Sequence, residues 1–338
     1  MVYHRNQSGL TTANSTHGRS GTLVTAARLL IAVAWAMLVL PVAACSQFGP
    51  ATAEDTDAVV TRAATLRGRW LDRDSGYVMV VAHRGCWHGA PENSIPAIEA
   101  CAALGVDIVE LDVRRTRDGV LVLMHDDTVD RMTDGAGRIA DLRYADLARL
   151  RLRQGKGGPQ AALTTARVPT LDEALKAVGS RMLINVDAKE DIHAEAAQAA
   201  ERVGVAAHVI IKRQVGKDDQ ALAEEPELKQ VLAMPIISQN DGNPQPIIAR
   251  QAALPLGAVE LLFSEKAYLG QAVALIRPLR ARVWVNTLRA DLAAEYIDAK
   301  ALTAPDAVWG ALIDQGVSVI QTDEPDALIR FLKSRGLR

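Results

Sequence analysis

The chain from residue 77 onward alternates two kinds of hydrophobic pattern. Short apolar runs rich in β-branched residues are followed by longer stretches whose apolar positions recur every three or four residues. The first pattern predicts strands buried on both faces, and the second predicts amphipathic helices that cover them. The predicted strands are 77–82, 106–113, 120–124, 181–186, 208–212, 231–237, 258–263, 282–286 and 317–321.

Amphipathic segments lie between most of these strands, among them 169–178, 191–204 and 325–336. Each of the three begins at Pro or Asp, and two of them end at Gly, which are typical boundary residues of helices. Repeated alternation of strand and helix favours a parallel sheet with helices on its faces. About eight such units predict an α/β fold, a (β/α)8 barrel of the TIM type. A doubly wound open sheet is the alternative, but no glycine-rich nucleotide-binding motif supports it.

One connection does not fit the parallel repeat. Only the segment 114–119 separates the strand that ends at Val113 from the strand that begins at Val120. A parallel crossover needs about a dozen residues or more. Asp118-Gly119 is a strong signal for a two-residue turn. We therefore expect a β-hairpin in place of one crossover.

This two-residue turn predicts which side chains of the hairpin lie together. If Arg117 pairs with Val120, counting back places Asp112 directly opposite His125. Side chains alternate along a strand, so Glu110 lies on the same face as Asp112. The hairpin is thus expected to gather two carboxylates and a histidine on one face.

Charged residues and histidines stand at the ends of four predicted strands, where a barrel carries its functional site. They are His83, Arg84, Glu110, Asp112, His125, Asp187 and Lys189. Carboxylates gathered at one mouth repel each other unless a cation lies among them, and oxygen ligands suit Ca²⁺ or Mg²⁺ better than zinc. Any one of these acids is equally typical of a salt-bridged strand end. Their combination predicts a site.

Composition narrows the choice of partners. The 338 residues are 49% hydrophobic and 23% charged, which is ordinary for a globular protein. A formal net charge of -2 provides no basic field, so nucleic acid is not expected as a partner. No sequence feature indicates a protein partner.

The N-terminal region has a different character. An uncharged stretch, 29–44, suits the apolar core of a signal peptide better than a membrane span. Its end, Val42-Ala43-Ala44-Cys45, resembles the lipobox of bacterial lipoproteins. That resemblance implies export and a membrane anchor through lipidated Cys45; a plain secretory signal or an uncleaved anchor is the alternative. The residue after Cys45 is Ser46, whereas an Asp at this position is often associated with retention at the inner membrane. We therefore expect a periplasmic or outer-membrane-facing location.

The chain is expected to divide into a leader at 1–45, a flexible tether at 46–60 and a single barrel domain at 61–338. The barrel domain contains two cysteines, Cys86 and Cys101. An oxidising compartment permits a disulfide, but two cysteines are not a disulfide framework. We expect free, buried thiols, and a disulfide between the two cysteines is the alternative.

Four sequence blocks resemble the signatures of the glycerophosphodiester phosphodiesterase family: "HRG", "PENS", "VELDVRRTRDGVLVLMHD" and "QTDEP". This family belongs to the TIM-barrel phosphodiesterases that are similar to phosphoinositide-specific phospholipase C. The resemblance runs from about Val80 to the C-terminus in family order, and between 190 and 281 it rests on pattern alone. It implies a TIM-type barrel with one divalent metal, Ca²⁺ or Mg²⁺. The implied reaction is hydrolysis of glycerophosphodiesters to glycerol 3-phosphate and an alcohol.

The resemblance also implies residue roles. His83 and His125 match the catalytic histidines, Arg84 binds phosphate, and Glu110, Asp112 and Asp187 bind the metal. Lys189 fits the lysine of the family pattern, and Glu92 and Asn93 contact the metal or phosphate. Trp284, at the end of a late predicted strand, is expected either to line the substrate pocket or to pack in the core. By analogy with related barrel phosphodiesterases, His83 is the base and His125 the acid. Asp187 stands where the family commonly has Glu, and Ser94 replaces Thr at a potential helix N-cap. Asp323 and Glu324 are interpreted as the start of the last helix.

Two alternatives to this function remain. The same chemistry would also suit intact lipids, such as lysophospholipids or phosphoinositides, or a teichoic-type polymer. A noncatalytic lipoprotein that binds a phosphate ligand would keep the barrel without the reaction. The presence of both His83 and His125 favours an enzyme.

Overall fold

The computed structural model describes residues 61–72, 74–252 and 256–338. The predicted leader, Cys45 and the predicted tether lie outside these ranges. Within them no helix combines the length and the apolar character needed to cross a membrane. The strands are β1 Met79–Ala82, β2 Ile108–Arg115, β3 Leu121–Leu123, β4 Arg151–Arg153, β5 Leu163–Arg167, β6 Leu183–Ala188, β7 Val209–Gln214, β8 Leu232–Ser238, β9 Ala258–Leu262, β10 Arg282–Asn286 and β11 Val319–Thr322. The α-helices are α1 Arg62–Leu71, α2 Ile95–Leu104, α3 Tyr144–Leu147, α4 Leu171–Val178, α5 His193–Val203, α6 Pro244–Gln251, α7 Lys266–Ile276, α8 Ala290–Ala293, α9 Asp298–Ala301, α10 Ala311–Asp314 and α11 Pro325–Ser334.

Eight strands of the described chain close a parallel barrel. They follow one another in the order β1, β2, β6, β7, β8, β9, β10 and β11, and β1 pairs with both β2 and β11. Each of the nine predicted strands overlaps an observed one, and the predicted (β/α)8 barrel is confirmed. Because the strands are parallel, their C-terminal ends meet at one mouth.

Local sequence explains the helices that cover the barrel. In α4 the apolar residues recur at helical spacing and face the core, and Thr170 and Glu173 form a reciprocal capping box at its start. In α2 the predicted N-cap is confirmed, since Ser94 Oγ accepts a hydrogen bond from the Ala97 amide at 3.2 Å. Gly105 ends α2 in the left-handed conformation that favours glycine.

The hairpin of β2 and β3 exists, but its register differs from the predicted one. Arg115 pairs with Leu121, and this register places Asp112 opposite Met124, whose amide donates to the Asp112 carbonyl. The predicted pairing of Asp112 with His125 is therefore wrong by one residue. The cause is a third residue in the turn, which is closed by Gly119 at φ 84°.

Residues 125–170, between β3 and α4, form an insertion that the sequence patterns did not predict. The insertion contains the short antiparallel pair of β4 and β5. It packs on a second apolar core of Val122, Met124, Val129, Met132, Ile139, Leu147, Leu152 and Val168. Backbone hydrogen bonds join Gly155 of the insertion to Ala90 and Glu92, in the loop that follows β1. The insertion therefore lies against the barrel mouth.

Cys86 and Cys101 form a disulfide, so the expectation of free thiols is wrong. The reason is the path of the chain after β1. Gly85, at φ 79°, brings the loop so close to α2 that an added Cβ would lie 2.9 Å from the Ala97 Cβ atom. The Cys86 amide then bonds the Ala97 carbonyl, and the Cα atoms of the two cysteines are 5.2 Å apart.

Candidate active site

The loop after β1 carries the first group of predicted site residues. Arg84 adopts φ 57°, a left-handed conformation that is uncommon for a residue with a side chain. This conformation directs the Arg84 amide to Glu110 Oε2 at 2.8 Å. Asn93, at φ 53°, donates its own amide to the Arg84 carbonyl at 2.9 Å. Strained backbone of this kind clusters at functional sites, so the conformation supports a functional loop.

Glu110, Asp112 and Asp187 form a compact acidic cluster. Each offers a carboxylate oxygen, and these oxygens lie within 4.8 Å of one another. Asp112 and Asp187 are register partners on adjacent strands, β2 and β6. Glu110 Oε1 is buried and has no hydrogen-bond partner among the described residues. Burial, helped by the charge of Asp112, raises the pKa of Glu110 to about 8. The donor set and the unpartnered oxygen fit a hard divalent cation.

Two basic side chains enclose the acidic cluster. Lys189 Nζ lies 2.7 Å from Asp112 Oδ1 and 2.7 Å from Asp187 Oδ2. Arg84 Nε lies 3.2 Å from Asp112 Oδ2. Burial alone would raise the pKa of Asp112, but Lys189 and Arg84 hold it well below its usual value. The cluster is thus a mixed site, with carboxylates that suit a cation and side chains that suit an anion.

His83 forms the first histidine–carboxylate pair. Its Nδ1 lies 2.8 Å from Asp323 Oδ1, and Asp323 also accepts from Trp87 Nε1 at 3.1 Å and Lys156 Nζ at 2.6 Å. Burial lowers the pKa of His83, although Asp323 acts in the opposite direction. The ring is therefore neutral at pH 7. With its Nδ1 proton directed to Asp323, Nε2 remains as an acceptor.

His125 forms the second pair, with Asp126. Their Nδ1 and Oδ1 atoms are 2.8 Å apart, and Arg131 Nε donates to Asp126 Oδ2 at 2.7 Å. The bond from His125, followed by that from Arg131, holds the pKa of Asp126 well below its usual value. The His125 side chain is 37% exposed, against 12% for His83. The two histidines thus share one arrangement, a carboxylate at Nδ1, but differ in access to solvent.

The structure places three of the predicted substrate-contacting residues behind the mouth. The Glu92 carboxylate is 1% exposed and accepts from Arg84 and Arg131. The Asn93 side chain bonds Asp112 twice: its Nδ2 donates to Asp112 Oδ2, and its Oδ1 accepts from the Asp112 backbone amide. Trp284 is fully buried, and its Nε1 donates to Asn286 Oδ1 at 2.8 Å. These residues hold their neighbours in position and lie in the core rather than on the open surface of the mouth.

Several site residues escaped the sequence reasoning. They are Arg131, Lys156, Lys212, Glu260 and Asp323. Lys212 and Glu260 carry charges inside the buried strands β7 and β9, a signal that could have identified them. Asp323 was interpreted only as part of a helix start. Its partner, His83, is 240 residues away, and no local pattern reports that contact.

The fold and the site together define a TIM-barrel protein whose mouth combines an acidic cluster that could hold a cation with basic side chains of a kind that suits an anion. The family model described as glycerophosphoryl diester phosphodiesterase matches residues 83–327. The chain belongs to this family.

Glycerophosphodiester phosphodiesterase 1 of Mus musculus is 43% identical over 130 residues, which are 36% of this chain and 37% of that protein. A glycerophosphodiester phosphodiesterase of Caldanaerobacter subterraneus is 39% identical over 115 residues, 34% of this chain and 46% of that protein. The chain thus spans less than half the length of these curated relatives.

Solved structures share the fold at low sequence identity. A glycerophosphoryl diester phosphodiesterase from Parabacteroides distasonis superposes with a TM-score of 0.65 at 21% identity, over 82% of this chain and 93% of that one. A phosphodiesterase from Oleispira antarctica, solved with its product sn-glycerol-3-phosphate, gives a TM-score of 0.55 at 19% identity, over 77% of this chain and 99% of that one. At these identities the likeness supports the barrel fold alone.

Proposed function

We propose that this protein is an exported glycerophosphodiester phosphodiesterase that requires a divalent metal and uses two histidines for proton transfer. The reaction is hydrolysis of a glycerophosphodiester to glycerol 3-phosphate and an alcohol. The observation that carries the proposal is the joint arrangement at the mouth: an acidic cluster, an adjacent arginine and two histidine–carboxylate pairs. The relatives named glycerophosphodiester phosphodiesterase and the product bound to the Oleispira antarctica enzyme support the substrate class.

The basic side chains account for binding of the phosphodiester. The substrate carries a negative charge that builds on its nonbridging oxygens toward the transition state. Arg84 offers a planar fork of donors that suits two such oxygens, and Lys189 adds a point charge beside it. Glu92 and Asp112 hold the Arg84 guanidinium in place before substrate arrives. Preorganised charge of this kind stabilises the transition state more than flexible surface charge does.

The acidic cluster accounts for the metal. Glu110, Asp112 and Asp187 would hold a divalent cation such as Ca²⁺ or Mg²⁺. When bound, the cation would act as a Lewis acid and neutralise part of the phosphate charge. Asp187 is one methylene shorter than the Glu common in the family at this position. Asp187 is the register partner of Asp112 on the neighbouring strand, so the two carboxylates lie side by side.

The two histidines divide the proton transfers. His83 is neutral and buried, and its free Nε2 takes the proton of the attacking water or of a neighbouring glycerol hydroxyl. His125 is more exposed to the solvent into which the alcohol leaves, and the Asp126 carboxylate lies at its Nδ1. His125 therefore protonates the leaving alkoxide. Each aspartate fixes the Nδ1 side of its ring, which leaves Nε2 of both rings directed at substrate.

A soluble glycerophosphodiester is favoured over an intact lipid. Within the described ranges the exposed large hydrophobic side chains are Leu71 and Leu302, which are on separate elements. An enzyme that extracts lipid is expected to present a contiguous apolar rim.

The N-terminal sequence supports an exported protein anchored at a membrane through lipidated Cys45, facing the periplasm or the outer membrane. The disulfide between Cys86 and Cys101 agrees with an oxidising compartment.

The first test is hydrolysis by protein that lacks residues 1–45. Glycerophosphocholine, glycerophosphoethanolamine and glycerophosphoinositol are each offered with Ca²⁺ or Mg²⁺ and with a chelator, and glycerol 3-phosphate is measured. We expect chelator-sensitive turnover, and we expect His125→Ala to lower kcat by about 10²- to 10⁴-fold. His208→Ala is the matched control, because His208 lies in a short 3-10 helix that precedes β7, at the opposite end from the mouth.

Three results would contradict the proposal. Turnover that persists with chelator would exclude metal dependence. Tight binding of glycerophosphodiesters without turnover would instead identify a noncatalytic binding lipoprotein. Turnover of lysophospholipids in place of the three soluble diesters would identify the lipid as the substrate.

A further inference from the structure

Arg131 lies at the centre of the polar network of the insertion, and every N–H of its guanidinium has an acceptor. Nε donates to Asp126 Oδ2 at 2.7 Å, and NH2 donates to Asp126 Oδ1 at 3.1 Å and to Glu92 Oε1 at 2.7 Å. NH1 donates to the carbonyl of Lys156 and to the Met132 sulfur. Arginine has five N–H donors, and all five are used.

Three of these contacts lead to different parts of the candidate active site. Asp126 orients the His125 ring through Nδ1. Glu92 holds the Arg84 guanidinium through NH1. Arg131 thereby joins the second histidine to the phosphate-binding arginine.

The contact with Lys156 leads to the first histidine. Lys156 lies in a glycine-rich turn, and its Nζ reaches Asp323 Oδ2 at 2.6 Å and the Trp87 ring at 4.5 Å. Asp323 in turn bonds His83. The turn itself is packed on Arg131, because the Gly158 amide donates to the Arg131 carbonyl at 2.7 Å, and a Cβ at Gly157 would lie 2.4 Å from that oxygen.

We propose that Arg131 is a positioning residue through which the insertion orients both histidine–carboxylate pairs and the phosphate-binding arginine at once. Arg131 touches none of the reacting groups directly and acts through Asp126, Glu92 and Lys156. The planar fork is required, because a lysine ammonium has three donors on one atom and cannot reach carboxylates on two sides together. The kinetic part of this inference rests on the proposed function, whereas its structural part does not.

The test compares Arg131→Ala and Arg131→Lys in the full chain. With glycerophosphocholine as the probe substrate, we expect Arg131→Ala to lower kcat on the order of 10²-fold, because small misplacements of catalytic groups have effects of that size. KM should change much less than kcat. Guanidinium ion at millimolar concentration should restore part of kcat to Arg131→Ala, and Arg131→Lys should not reach the wild-type kcat. Arg151→Ala is the matched control, since Arg151 pairs with Asp134 elsewhere in the same insertion.

A measurement without substrate separates this inference from the proposed function. Nitrogen-15 NMR of the imidazole rings, assigned with His83→Gln and His125→Gln, should show shifts of both rings in Arg131→Ala and of neither in Arg151→Ala. Shifts confined to His125, or a kcat of Arg131→Ala within twofold of wild type, would overturn the inference. If the wild-type chain hydrolyses no glycerophosphodiester, the proposed function fails, and the NMR result still decides whether Arg131 orients both rings.

Discussion

Asp298 is a buried carboxyl that supports the end of β11 beside the first histidine. Its Oδ1 accepts from Thr287 Oγ1 at 2.6 Å and Thr322 Oγ1 at 2.8 Å, and its Oδ2 accepts from the Asp323 amide at 2.8 Å. Burial raises the pKa of Asp298 to about 6, although these three donors act against the shift. The side chain thus fixes the backbone from which Asp323 reaches His83.

The raised pKa predicts a pH-dependent stability. The folded state holds the Asp298 proton more tightly than the unfolded state, so this contribution is fully present below about pH 4 and is lost as pH rises through about 6. Relative to Asp298→Asn, the wild-type free energy of unfolding should fall by up to about 3 kcal/mol between pH 4 and pH 7. Urea unfolding of both proteins across this range measures the difference. Asp314→Asn, at an exposed carboxyl, is the control.

A difference between wild type and Asp298→Asn that stays constant with pH would show that the three donors outweigh burial. A difference that grows in favour of wild type as pH rises would show that Asp298 is ionised and stabilising. Either result would contradict the predicted direction.

At the scale of elements, the sequence predicted the barrel strands well because both of their faces are buried. A continuous apolar run such as 79–82 predicts a strand covered on both faces, and all four of its residues are buried. The hairpin register was not predictable from Asp118-Gly119 alone, since two- and three-residue turns share that signal. A two-residue type I′ turn needs a positive φ at both residues, and in this structure Gly119 has one but Asp118 does not. The insertion was missed because its strands are short and its small core draws on scattered residues.

The sequence likewise predicted one part of the candidate active site and missed another. Residues at strand ends, such as Glu110, Asp112 and Asp187, were predicted together because parallel strands bring their ends to one mouth. The residues that support His83 were missed, because Asp323 contacts His83, and Lys156 contacts Asp323, only through tertiary structure. Strand periodicity reports which face a residue occupies but carries no information on partners from distant loops.

The disulfide gives a prediction for the loop that carries His83 and Arg84. Cys86 and Cys101 are separated by 15 residues, and closing a loop of this length is expected to stabilise the fold by about 3 kcal/mol. Reductant should therefore lower the free energy of unfolding of the wild-type domain by roughly this amount. Urea unfolding with and without dithiothreitol measures it. The double variant Cys86→Ala/Cys101→Ala should be insensitive to reductant, and equal midpoints for reduced and oxidised wild type would contradict the prediction.

At the scale of the whole molecule, the disulfide and the N-terminal sequence both support the proposed export. A bond between Cys86 and Cys101 forms and persists outside the reducing cytosol. The apolar stretch 29–44, which precedes Cys45, is typical of a signal peptide, and export through it is part of the proposal. An exported enzyme on a membrane meets glycerophosphodiesters that are released from phospholipids outside the cytoplasm. Anchoring at Cys45 and catalysis in the barrel are therefore two parts of one proposal that can be tested separately.

The anchor is tested by expressing the full chain in a bacterium and partitioning the extract with detergent. A single acyl chain holds a protein only weakly, so stable anchoring requires the several chains of a bacterial lipoprotein. We expect the wild-type protein in the detergent phase, with a mass that shows loss of residues 1–44 and addition of lipid. Cys45→Ser should move the protein out of the detergent phase or leave the leader uncleaved, whereas the neighbouring control Ser46→Ala should behave as wild type. A mature wild-type chain without lipid in the aqueous phase would instead show a plain secretory signal, and the barrel would then act as a freely diffusing enzyme.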